Sequence, residues 1–213
     1  MPTSKSFKIS LKRDNLFLRV SKGHFATNHS HTNYYIDVTT HKARLSEARA
    51  IAEELCPFYN VSTIVDTILC LEGTEVIGTC LANALTSAGF INMNAHQTIY
   101  VVTPERTSGG QLLLRENLIP MVKGKHVLIL SALITSGSTA DSAIDAVNYY
   151  GGIVTGVSAI FANKTECNGY PVQAVFNSNH LPDYASYLAC ECPMCKEGIK
   201  IDALVNAFGY SKL

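Results

Sequence analysis

The sequence has no surplus of charge of either sign. Lys plus Arg and Asp plus Glu both number 17, for a formal net charge of zero. Nucleic-acid binding in a polyelectrolyte mode usually needs a basic face, so nucleic acid is not expected as a partner. No apolar run approaches the roughly 18–20 residues of a membrane helix, so a membrane is not expected either. Met1 to Ser10 lacks the apolar stretch of a secretory signal. The dinucleotide fingerprint G-x-G-x-x-G is missing, as is the nucleotide-triphosphate pattern G-x-x-x-x-G-K-S/T. No Ser–His–Asp or Cys–His nucleophile stands out. The seven Cys are an odd number spread over 213 residues, which suits a population of reduced thiols better than a disulfide framework. A soluble, cytoplasmic protein is the expectation.

What is present centres on residues His126 to Phe161. Val127-Leu128-Ile129-Leu130 is a short apolar run suited to a strand buried on both faces. Thr135-Ser136-Gly137-Ser138-Thr139 follows, small and rich in hydroxyls. Ala140, Ala143, Ile144 and Val147 then fall at helical spacing, Gly151-Gly152 ends that helix, and Ile153 to Phe161 reads as the next parallel strand. The unit is βαβ, with a hydroxyl-rich loop at the carboxyl end of its first strand, where open α/β sheets bind ligands. Helix N-termini attract anions, Gly137 lets a ligand approach the backbone, and the hydroxyls add donors. A phosphate monoester fits this chemistry. An ordinary Ser/Thr helix cap fits it equally well on the loop alone.

The flanking segments fit an α/β domain. Alternation in residues 1–40 (Phe7, Ile9, Leu11, then Leu16, Leu18, Val20) predicts two strands turning near Arg13-Asp14-Asn15. His24, His29, His31 and His41 read as polar loop residues, and a metal cluster is not expected of them because no Cys or carboxylate sits among them at tight spacing. Tyr34 and Tyr35 either stack on a flat base or sit half-buried in a strand. A helix is predicted over 45–59, with Leu45, Ala48, Ile51, Ala52 and Leu55 inward and Arg44, Ser46 and Glu47 outward. A strand over 61–71 then delivers Glu72-Gly73-Thr74-Glu75 to the start of a helix over 76–88. Ile99 to Val102 is a further strand, Thr103 to Gly110 a long excursion, and Pro171 to Phe176 an edge strand. Cys192-x-x-Cys195 with Cys190 nearby suggests a zinc knuckle, completed by Cys167 or His180, or else inert thiols. Ile199, Ile201, Leu204, Val205 and Phe208 predict a last amphipathic helix.

Leu128 to Thr139 resembles the phosphoribosyl-pyrophosphate (PRPP) motif of the type I phosphoribosyltransferases: a strand, two acidic residues, then a T-x-G-S/T-S/T loop. Gly23-His24-Phe25 and His31 to Asp37 resemble an N-terminal segment of the orotate phosphoribosyltransferases. The similarity runs with gaps from Gly23 to Asn163. It implies a type I phosphoribosyltransferase-like α/β fold with a mostly parallel central sheet flanked by helices. A small N-terminal hood (1–40) would cover a core (41–180), followed by a Cys-containing appendage (181–213).

The resemblance also implies chemistry. A nitrogenous base displaces pyrophosphate from PRPP with Mg2+ present, so the expected partners are PRPP and a nucleobase-like small molecule. Thr135, Ser136, Gly137, Ser138 and Thr139 would take the 5′-phosphate, and Ser131 the ribose. Glu72, Gly73, Thr74 and Glu75 would form the pyrophosphate and Mg2+ loop. Arg106 and Arg115 would be catalytic, and Tyr34, Tyr35 and Asn163 would contact the base. A homodimer is implied. The family's acidic pair falls on Ser131 and Ala132 here, and an orotate-pairing arginine falls on Asn163, with Lys164 beside it as a substitute. A PRPP- or nucleotide-binding regulatory protein of the same fold is therefore the alternative.

Overall fold

The computed structural model describes residues 6–11, 16–28, 30–87, 93–95, 98–206 and 208–213. In chain order the strands are β1 (Ser6–Ser10), β2 (Phe17–Ala26), β3 (His31–Asp37), β4 (Thr67–Cys70), β5 (Tyr100–Val102), β6 (Glu105–Arg106), β7 (Leu112–Leu113), β8 (His126–Ile134), β9 (Ile153–Ala162), β10 (Glu166–Cys167), β11 (Tyr170–Asn177), β12 (Ser186–Tyr187), β13 (Ala203–Asn206) and β14 (Gly209–Lys212). The α-helices are α1 (Thr39–Ala43), α2 (Leu45–Leu55), α3 (Glu75–Thr86), α4 (Ser138–Tyr149) and α5 (Pro193–Lys196).

The central sheet runs β10-β11-β9-β8-β4-β5, parallel except for the two-residue β10. Its strands point alternate residues to opposite faces. Leu128, Leu130 and Ala132 of β8 join the cluster that contains α2 and α3, while Val127 and Ile129 join the cluster under α4. Burial on both faces explains why β8 and β9 read as nearly continuous apolar runs. Helix α4 buries Ala140, Ala143, Ile144 and Val147, the predicted set. Pro171 lies at the outer margin of the sheet, opposite Glu166 of β10.

The second sheet is the hood, ordered β12-β3-β2-β13-β14 with β1 also on β2; it takes in strands of segment 181–213, so that segment is part of the hood sheet rather than the separate appendage expected. Its strands β1 and β2 pair antiparallel, as the alternation predicted. The predicted turn at Arg13-Asp14-Asn15 lies outside the described residues, as do His29 and Ala88. Leu18, Val20, Tyr34 and Ile36 share one core cluster with Ile51, Leu81, Phe161 and Phe176. The hood is therefore packed on the parallel domain through a common apolar core.

Several local expectations are corrected. The predicted terminal helix is instead the hairpin β13–β14, with β13 parallel to β2 through Ala203↔Phe25 and Leu204↔Ala26. Asn206 turns the chain by accepting the Phe208 N–H on its side chain (2.8 Å), Gly209 takes φ +140°, and Phe208 is 87% exposed. A helix would have needed Phe208 on its buried face. The strand predicted over 61–71 is regular only over Thr67–Cys70. Its start is drawn into turns by Asn94, which accepts Val65 N–H (2.9 Å) and donates to the Thr63 carbonyl (2.9 Å). Helix α2 buries Glu47 and exposes Leu45, the reverse of the prediction, because Glu47 lies 3.5 Å from Arg44 and beside buried His41.

Candidate functional site

The carboxyl ends of β4 and β8 open into a cleft roofed by the hood. Its lining includes Tyr34, Tyr35, Glu72, Arg106, Thr135 to Ala140, Tyr184, Val205 and Asn206. The position follows from topology, since β8 pairs with β4 on one side and β9 on the other and ends in the loop that starts α4. Gly137 caps α4 with φ +87°, a left-handed conformation that disfavours a side chain. Ser136 Oγ and Ser138 Oγ lie 3.1 Å apart. A Cβ on Gly137 would lie 3.3 Å from Lys164 Nζ, so an ammonium flanks the loop. Lys164 thus stands beside the hydroxyl loop.

Glu72 comes two residues after the end of β4. It adopts φ +58° and the next residue, Gly73, φ +81°. A non-glycine residue in that region is held there by its surroundings. The Glu72 carbonyl accepts from Lys42 Nζ (2.8 Å). Its carboxylate Oε2 accepts from Ser131 Oγ (2.8 Å), Ala132 N (3.2 Å) and Leu133 N (3.4 Å). The register Cys70↔Leu130 carries Glu72 to this place. Burial lowers the Lys42 ammonium below its usual range, against the opposing pull of Glu72, Glu75 and Asp37. Lys42 escaped the sequence reading because it lies thirty residues before Glu72 on an unremarkable helix.

The other predicted residues divide sharply. Arg106 Nη2 donates to Thr139 Oγ1 (3.3 Å) from the hairpin β6–β7, into which the Thr103 to Gly110 excursion folds. Arg115 is not in the cleft lining and pairs with Glu105 (2.6 Å). Thr74 is buried and donates to the carbonyls of Leu71 (2.9 Å) and Leu130 (3.0 Å), a structural duty. Glu75 accepts from Thr103 Oγ1 (3.0 Å). Asn163 lies outside the cleft lining, with its backbone N–H on the Ile134 carbonyl (2.8 Å).

Tyr34 is buried and Tyr35 half-buried, and both line the cleft. Burial, with Asp37 and Tyr210 nearby, pushes the Tyr35 phenol up to about 12 despite an opposing Thr39 hydrogen bond. Tyr184, unflagged by the sequence, packs edge-on to Phe161 (5.4 Å between ring centres) and also faces the cleft. Burial raises its phenol, which hydrogen bonds with Thr135 and Ser186 oppose.

The cysteine prediction is redrawn. Cys192 and Cys195 converge on His24 and His31, with all four ligand atoms within 4.8 Å of one another. Cys190 is exposed and outside this group. Cys167 lies by Gly137 instead, and His180 Nδ1 accepts the Asn177 N–H (3.1 Å). The two histidines read as loop residues are in strands β2 and β3.

No family model matches the chain. It is 28% identical to the orotate phosphoribosyltransferase of Chlorobaculum parvum over 183 residues, covering 85% of this chain and 86% of that one. Among solved structures, the orotate phosphoribosyltransferase of Mycobacterium tuberculosis in complex with inorganic phosphate superposes with a TM-score of 0.51 at 18% identity, over 71% of this chain and 83% of that one. The adenine phosphoribosyltransferase of Thermoanaerobacter pseudethanolicus gives 0.51 at 16% identity, over 68% and 88%.

Proposed function

We propose that this chain, which has the type I phosphoribosyltransferase fold and is similar in sequence to orotate phosphoribosyltransferases, transfers the phosphoribosyl group of PRPP to a nitrogenous base. The observation that carries the proposal is the glycine-capped, hydroxyl-lined start of α4, flanked by Lys164 and Arg106 in a cleft under aromatic residues. The 5′-phosphate rests on the N–H groups of the first turn of α4 and on Ser136, Ser138 and Thr139. Glu72, whose carboxylate is held against Ser131 and the backbone of Ala132 and Leu133, would accept ribose hydroxyls in place of a carboxylate on β8 itself. Tyr34 and Tyr35, both in the cleft lining, would contact the base.

The leaving pyrophosphate needs positive charge. Arg106, which lines the cleft, would supply it from the hairpin. The donors at this end of the sheet are carboxylate oxygens from Glu72 and Glu75, a hard set that suits Mg2+. Mg2+ bound with PRPP would neutralise the departing phosphates. Bond formation from a ring nitrogen of the base to C1 accompanies loss of the C1–oxygen bond; the electron pair leaves with pyrophosphate, and the ring nitrogen's proton goes to solvent. Fixed charges arranged beforehand around that centre stabilise the developing cation. A cytoplasmic homodimer goes with this reading. Among the described residues no helix is long and apolar enough to cross a membrane.

Ser131 and Ala132 favour a second reading, in which the cleft binds PRPP or a nucleotide without turnover. Calorimetric titration with PRPP, with and without Mg2+, followed by a screen of bases for pyrophosphate release, separates the two. Binding with release supports the transferase. Binding with no release from any base supports the regulatory protein. A folded protein that binds no PRPP eliminates the transferase and the PRPP-sensing form of the second reading.

A further inference from the structure

We propose that His24 Nε2, His31 Nδ1 and the thiolates of Cys192 and Cys195 form a tetrahedral zinc site that fastens the C-terminal hairpin to the hood and completes one wall of the cleft. The geometry carries the argument. His24 Nε2 lies 3.1 Å from His31 Nδ1, 3.5 Å from Cys192 Sγ and 3.7 Å from Cys195 Sγ, and Cys195 Sγ lies 3.2 Å from His31 Nδ1. Zinc–sulfur bonds of about 2.3 Å and zinc–nitrogen bonds of about 2.0–2.1 Å imply tetrahedral edges of roughly 3.3–3.8 Å. The observed spacings are close to those edges.

Hydrogen bonding alone does not account for the cluster. His24 Nδ1 lies 2.9 Å from the Ile199 carbonyl oxygen. A carbonyl only accepts, so Nδ1 carries a proton, and in the neutral ring Nε2 then presents a lone pair. Three polar atoms then crowd one lone pair in a pocket where His24 is 1% and Cys192 0% exposed. A cation at the centre resolves this. Two sulfurs and two imidazole nitrogens in a tetrahedron suit zinc, and four protein ligands leave no open position for catalysis. The Ile199 contact is the outer-shell partner that fixes a ligating imidazole. On binding, the two thiols release their protons to solvent.

The ligands come from opposite ends of the chain. Cys192 and Cys195 bracket the start of α5, whose turn is closed by Ile199 N–H on the Met194 carbonyl (2.8 Å). Just beyond it, Asp202 Oδ2 accepts His24 N–H (2.8 Å), and Asp202 N–H donates to the His24 carbonyl (2.7 Å). β13 then lies along β2, and its Val205 and Asn206 face the cleft together with Thr27, Asn28 and Ser30 from the segment between the two histidines. The metal thus shapes the cleft from outside it, by holding two of its walls in register.

The test is metal content on the full chain, purified under reducing conditions with zinc supplied. Wild type and Cys190→Ser should each hold about one zinc per chain, and Cys192→Ser and His31→Ala less than about a tenth of that. Cobalt(II) loaded into wild type should give intense tetrahedral d–d bands and a thiolate charge-transfer band, a readout that needs no variant to fold. Removing zinc with a chelator should speed amide hydrogen exchange in residues 203–212 at least tenfold and leave α4 unchanged. Any of three results overturns the proposal: wild type without zinc or a cobalt spectrum, full zinc retained by Cys192→Ser and His31→Ala, or a Cys192–Cys195 disulfide in place of metal.

Discussion

The Ser131 hydroxyl donates to the Glu72 carboxylate at 2.8 Å, across the ends of neighbouring parallel strands. The family resemblance leads one to expect acidic side chains on β8, at Ser131 and Ala132. Here the negative charge comes from the next strand, held by a hydroxyl and two backbone N–H groups. Hydrogen bonds to a charged group contribute about 1.5–3 kcal/mol. Glu72→Gln should therefore weaken PRPP binding by roughly 10- to 150-fold while the chain stays folded. Ser131→Asp alone should lower the melting temperature, because it sets two carboxylates against each other in a buried place. The double variant Ser131→Asp with Glu72→Ser should recover much of that loss. Purely additive changes in a double-mutant cycle would show that the two residues do not communicate.

Gly137 and Lys164 form a second pair. A side chain at Gly137 would face the left-handed backbone conformation and meet Lys164 Cδ at 3.1 Å and Cys167 Sγ at 3.2 Å. Gly137→Ala should cost about 1–3 kcal/mol of stability and abolish saturable PRPP binding. Lys164→Gln leaves the backbone alone and removes only charge. It should weaken binding about tenfold or more at low salt, with a smaller effect at high salt. An equal loss at both ionic strengths would count against an electrostatic role.

The strand, glycine-capped loop and helix around Gly137 were legible because all the parts are local, a buried strand, a glycine and a helix in one continuous stretch. The Glu72 contact was legible in principle from parallel register, since Cys70 lies opposite Leu130 and Glu72 comes two residues later. The grouping of His24, His31, Cys192 and Cys195 was not, because His24 and Cys192 lie 168 residues apart and only three-dimensional pairing joins them. The available signals were a lone Cys-x-x-Cys short of two ligands and a pair of histidines in neighbouring strands. The terminal hairpin was misread because Ile199, Ile201, Leu204, Val205 and Phe208 fit a helical period by chance. Asn206 and Gly209 were the turn residues that should have weighed against it.

His41 gives a pH dependence. It is fully buried, its Nε2 faces the Phe17 carbonyl (3.0 Å), and Nδ1 has no hydrogen-bond partner among the described residues. Burial lowers its pKa and Arg19 adds to that, outweighing Glu47, the Phe17 hydrogen bond and Asp37. A histidine held neutral in the folded state binds its proton more readily when unfolded. Its contribution is therefore present above the unfolded value near 6.5 and is lost as pH falls from there towards the folded pKa. The slope is at most ~1.4 kcal/mol per pH unit for one proton. His41→Gln should flatten the fall in melting temperature below about pH 6.5 relative to wild type. Parallel curves for the two proteins would assign the acid sensitivity to other groups.

Arg106 and Arg115 separate a cleft residue from a surface one by their partners. Arg106 reaches Thr139 at the start of α4, and its own position is exposed, so the fold does not depend on it. Arg115 is occupied by Glu105 in an exposed ion pair, and such pairs contribute about 0–1 kcal/mol. If Arg106 meets the charge that develops on leaving pyrophosphate, Arg106→Ala should lower kcat/KM by roughly 100-fold or more. Its melting temperature should match wild type. Arg106→Lys should recover only part of the rate, since an ammonium lacks the planar fork of a guanidinium. Arg115→Ala should change kcat/KM by no more than about threefold, a difference under 1 kcal/mol. Steady-state kinetics of pyrophosphate release measures both. A large loss at Arg115 with none at Arg106 would mean that the β6–β7 hairpin rearranges when substrate binds and exchanges the two arginines.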